Sequence, residues 1–118
     1  MTSMTNERAD SAFQALHDVQ RAARILCMVL RNAGDRTGAA NAKLRADLLQ
    51  DEIDKLINKE LADWQAEAES VIPELVAAVD AAKEAAGQVE QDVKNARLVV
   101  FAIATLDNAI TIAMKLIG

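Results

Sequence analysis

Apolar residues recur along the chain in three long stretches, spaced alternately by three and four residues. That period places them on one face of an α-helix. The first stretch aligns Ala12, Leu16, Val19, Ala23, Leu26 and Leu30 and predicts a helix over residues 7–33. Ile25 and Val29 widen its apolar face in the second half. The segment "NAGDRTG" at 32–38 follows, and its two glycines and polar residues predict a short connection. A second stripe, Leu49, Ile53, Leu56, Ile57, Leu61, Trp64 and Ala68, predicts a helix over 39–70, with Glu and Asp filling the opposite side. Pro73 in "SVIPEL" would lose a hydrogen bond in a helix interior. It suits a first turn, where Glu74 is also favourable. A tight turn is therefore expected at 71–73.

The third stripe is the longest. Leu75, Val79, Ala82, Ala86, Val89, Val93, Ala96, Val100, Ile103, Asp107, Ile110, Met114 and Ile117 keep the same alternation, and Asp107 is the one charged member. Because the stripe passes Gly87 without a change of phase, the pattern predicts one helix over 73–117, about 65 Å long. A break at Gly87 would give four helices instead. The expected fold is all-α: an elongated, coiled-coil-like antiparallel three-helix bundle in one domain over residues 1–118. Short connections make neighbouring helices antiparallel. In that layout Ala40 falls beside residue 105, and Arg31, Arg36 and Lys43 come near Asp107. Arg31 or Arg36 is the expected partner of Asp107, because a guanidinium can hold a carboxylate through two bonds.

Leu98 to Ile117 is long enough to span a bilayer. Its ten Leu, Ile, Val and Phe residues contribute about −3 to −6 kcal/mol to insertion, whereas central Asp107 opposes by about 3. Asn108 and Lys115 oppose further, so a C-terminal anchor or a membrane-active, pore-forming-like helix is the secondary expectation. The primary one is association in water. Val100, Ile103, Asp107, Ile110, Met114 and Ile117 form the expected core seam. Leu98, Phe101, Ile112 and Leu116 lie off it and would be left as an exposed apolar patch that a partner must cover.

Composition narrows the chemistry. Apolar residues make up 52% of the chain but aromatics only 3%, which suits close-packed helices and gives little with which to stack bases. Four glycines and one proline are too few for the turns of an all-β fold. The net charge of −5 is uneven: residues 47–92 hold thirteen acids against three lysines. No dense basic stripe is present to displace counterions, so nucleic acid is not an expected partner. Cys27 is the single cysteine and His17 the single histidine. One histidine cannot build a common zinc site, and Cys27 lies about 15 Å along the same predicted helix from His17. No phosphate-binding glycine motif occurs. No catalytic, metal or cofactor residues are therefore assigned. The first ten residues lack a secretory pattern, and the expected setting is cytoplasmic. Together these features point to a non-enzymatic helical protein that acts by self-association, as a homo-oligomer, or by binding a heterologous helical partner.

Overall fold

The computed structural model describes residues 6–59, 63–64 and 68–116. These form four helices and no strand: α1 (Asn6–Asn32), α2 (Arg36–Ile57), α3 (Ala68–Gln91) and α4 (Ala96–Ala113). The all-α expectation holds, but four helices replace three, and the predicted boundaries move.

The first connection is shorter than "NAGDRTG" suggests. Gly34 adopts φ +86°, a conformation that costs a residue with a Cβ. The Asp35 N–H donates to the Leu30 carbonyl at 2.9 Å, and the Gly34 N–H to the Arg31 carbonyl at 3.0 Å. These two bonds satisfy two of the carbonyls left over at the end of α1. Asp35 then starts α2, its Oδ1 accepting from the Gly38 N–H at 2.8 Å. A Cβ on Gly38 would lie 2.5 Å from Asp35 Oδ2, so a side chain there would require the end of the Asp35 carboxylate to shift. α2 consequently begins at Arg36 instead of Ala39.

The predicted helix over 39–70 stops at Ile57. Asn58 caps it, with both its backbone N–H and its side-chain amide donating to the Asp54 carbonyl. Leu61, on the predicted stripe, lies outside the described residues. Trp64 is buried as that stripe implies, but outside any α-helix, with its ring edge-to-face against Phe13 at 5.9 Å. The turn expected at 71–73 is absent. α3 begins at Ala68 and runs through Pro73. Val71, Ile72 and Leu75 anchor this turn in the core while Pro73 faces solvent, so water can satisfy the carbonyl that proline leaves without a donor.

The predicted 73–117 helix is broken, and not at Gly87, which sits inside α3. The break is at residues 92–95. The Asn95 N–H donates to the Asp92 carbonyl across the turn, and Asn95 caps α4 by accepting from the Arg97 N–H at 3.1 Å. A chain reversal here folds the apolar C-terminal segment back along the bundle.

α1 packs mainly on α2 and α3, and α4 on α3 and α2, so α2 and α3 lie on one diagonal and α1 and α4 on the other. Short links make α1–α2 and α3–α4 antiparallel hairpins. The two hairpins lie side by side with like-directed neighbours: Arg45 meets Asp107, and Leu48 lies further on with Ile110 and Met114, so α2 and α4 run the same way. The bundle measures 49 × 22 × 19 Å. Its core holds Leu16, Leu26, Leu30, Leu49, Ile53, Leu75, Leu106 and Leu116, all shut off from solvent, each contributing about 2 kcal/mol by burial. Buried alanines such as Ala12, Ala23, Ala42 and Ala109 let the helix axes approach closely. Gln20, buried on α1, donates to Gln50 Oε1 at 2.6 Å and pins α1 to α2.

Candidate interaction surface

α4 carries two apolar stripes, and the register of burial decides which faces the core. Val99, Ala102, Leu106, Ala109, Ala113 and Leu116 are buried. At 100° per residue they span an arc of about 100°. The predicted seam residues Val100, Ile103, Asp107, Ile110 and Met114 occupy the adjoining arc of about 80°. Of these, Val100 is 69% exposed and Met114 54% exposed. Ile103 is half-buried, Asp107 is exposed, and Ile110 is buried at the edge of the core. Ile117 lies outside the described residues. The predicted exposed set is displaced in the opposite sense. Leu116 is fully buried, Leu98 and Ile112 pack against the core, and Phe101 alone stays open at 55% exposure. The cause is the turn at 92–95: the core stripe resumes in α4 one residue before the 4-3 extrapolation from α3.

Asp107 is paired, but not with the expected residues. Arg45 Nε donates to Asp107 Oδ1 at 2.9 Å and Arg45 Nη2 donates to Oδ2 at 3.2 Å, a two-pronged bond from α2 to α4. The Asp107 side chain remains 50% exposed. Arg31 and Arg36 are not its partners; Arg31 instead donates to Cys27 Sγ at 3.5 Å within α1. Reversal of the chain at 92–95 makes α4 parallel to α2, which replaces the level expected for Arg31 with that of Arg45.

On α2, Leu44 and Leu48 are exposed, four residues apart and on either side of Arg45 in the chain. Leu48, Ile110 and Met114 line a groove of about 380 Å³ between α2 and α4, together with Asp51, Glu52 and Lys55. At the other end of α4, Ala96, Val100, Phe101 and Ala104 form a shallow apolar depression beside Arg97. The α2/α4 side thus mixes exposed apolar residues, Val100 at one end and Leu48 and Met114 at the other, with Asp51, Glu52, Asp54 and Lys55 in the groove and the Arg45–Asp107 pair midway. Leu44, Arg45 and Leu48 were absent from the sequence-derived site. Their signal is an i, i+4 leucine pair off the Leu49–Ile53–Leu56 stripe.

His17 is exposed on α1 and Cys27 is buried in the core. Among the described residues no three His, Cys, Asp or Glu side chains are placed to hold a metal ion. Ala96–Ala113 is long and apolar enough to cross a membrane by length and composition, with a mean hydropathy of 1.6, and a third of it is buried within the bundle. No protein-family model, curated protein or solved structure matches the chain.

Proposed function

We propose that the protein is a non-enzymatic helical bundle that works by helix-mediated self-association, with a heterologous helical partner as the other way to cover the same surface. One observation carries this reading: Val100 and Met114 stay exposed and Ile103 half-buried at 4-3 positions on α4, beside the core stripe and the core-edge Ile110. That spacing is what one helix presents to another. Leu48, exposed on α2 and sharing the groove with Met114, adds to this apolar surface. Light scattering after size exclusion, without detergent, tests it. A mass above 12.7 kDa is expected at micromolar concentration, and the monomer mass at every concentration overturns self-association.

A membrane-active reading has its own support in the length and hydropathy of Ala96–Ala113. To insert, α4 would have to break the Arg45–Asp107 bond and strip Leu106 and Leu116 from the core. Liposome flotation at neutral pH separates the two readings. Poor flotation is expected; strong co-flotation with dye release favours the membrane.

A further inference from the structure

We infer that the groove between α1 and α2 binds a small organic dianion, with a carboxylate or phosphate at each end of an apolar chain, held by Arg24 and Arg31. The groove offers about 270 Å³, and Arg24, Met28, Arg31, Lys43 and Asp47 line it above the buried Cys27 and Ala46. The antiparallel hairpin sets the level of these residues. Gln20 donates to the Ala46 carbonyl at 3.4 Å and to Gln50 Oε1 at 2.6 Å. Arg24, one turn further along α1, therefore comes beside Lys43, one turn back along α2. Arg31 lies seven residues beyond Arg24, about 10 Å along the same face of α1. Met28 stands between the two arginines and is 53% exposed.

Charge here is one-sided in a chain whose net charge is −5. Residues 21–46 carry Arg21, Arg24, Arg31, Arg36, Lys43 and Arg45 against one acid, Asp35. Asp35 is engaged in capping α2, and Arg45 in holding Asp107. Among the described residues no hydrogen bond or ion pair engages the Arg24 side chain. Arg31 donates to Cys27 Sγ at 3.5 Å, and a thiol sulfur is a weak acceptor. Asp47 is the one carboxylate lining the groove, and Lys43 holds it at 3.0 Å. Two guanidiniums are thus left with most of their donors unspent. A guanidinium is a planar fork that meets a carboxylate or phosphate through two bonds. Two forks about 10 Å apart along the helix select two anionic groups, and the apolar surface of Met28 and Cys27 between them selects the chain that joins them. An anion with one charged end leaves one fork unused.

The test titrates octanedioate, an alkane bisphosphate of similar length, and octanoate into the full-length protein at about 0.15 M salt, where distant surface charge is screened. Calorimetry reads affinity, and backbone amide NMR shifts read location. Saturable binding of a dianion is expected, with shifts concentrated at residues 24–31 and 43–47 and octanoate about tenfold weaker or worse. The tighter of the two dianions names the ligand's anionic group. Arg24→Gln and Arg31→Gln, both at exposed positions, should each weaken binding by about tenfold, the loss expected when one charged hydrogen-bonding partner is removed. Arg97→Gln makes the same charge change at the start of α4 and should leave binding unaltered. Absence of saturable binding by either dianion would overturn the site. So would octanoate binding as tightly as octanedioate, or Arg97→Gln weakening binding as much as Arg24→Gln. None of these outcomes depends on whether the chain self-associates.

Discussion

Asp107 holds an apolar-spaced position without being buried, and Arg45 is the reason it can. Two bonds reach it from the neighbouring helix, while half of its side chain stays in water. An exposed pair of this kind contributes at most about 1 kcal/mol. A stranded buried acid would cost several. Asp107→Leu and Arg45→Ala should therefore each change stability by no more than about 1 kcal/mol in urea titrations. A loss near 3 kcal/mol from Arg45→Ala would mean that the carboxylate is desolvated. Gly87 lends itself to a second test. A Cβ there meets nothing within 4 Å, and the residue sits inside α3. Gly87→Ala should stabilise by about 0.5–1 kcal/mol, because alanine restricts the unfolded chain at no steric cost. A melting temperature that falls instead would mean that α3 needs the glycine.

At the level of elements, the three stripes were legible because helix period is a local property. The stripe of α1 lies in the core from Ala12 to Leu30, and Leu49, Ile53 and Leu56 in α2 are buried as their spacing requires. What spacing did not reveal were the interruptions. Val93 and Ala96 keep the 4-3 count across 92–95 by coincidence, so the pattern reads through a chain reversal that Asn95 caps. The local signal was present in "QDVKN", where Asp92 and Asn95 favour turns and caps, but the continuous stripe outweighed it. Pro73 failed in the opposite way, since a strong breaker lost to the apolar anchors around it. The consequence for α4 is measurable. Leu106→Ala removes a core side chain and should cost about 2–5 kcal/mol, whereas Val100→Ala should cost under about 0.5 kcal/mol. Denaturant midpoints for the two variants decide the register of α4. Equal losses would restore the extrapolated seam.

For the whole molecule, the reversal at 92–95 changes shape and surface together. A 65 Å helix becomes a 49 Å bundle, and the apolar C-terminal segment becomes an outer helix of a bundle. Most of the apolar residues of this segment thereby find a core, while Val100, Phe101 and Met114 stay exposed. The proposed association draws on these exposed residues, which could not be located from sequence because exposure depends on which helix lies beside α4. Sedimentation of the unmodified protein against Val100→Glu, without detergent and across a rising concentration series, is the most direct test. The unmodified chain should move from 12.7 kDa toward twice that mass, while Val100→Glu stays monomeric with its helicity unchanged. Identical monomeric sedimentation of both proteins at every concentration would contradict self-association through α4.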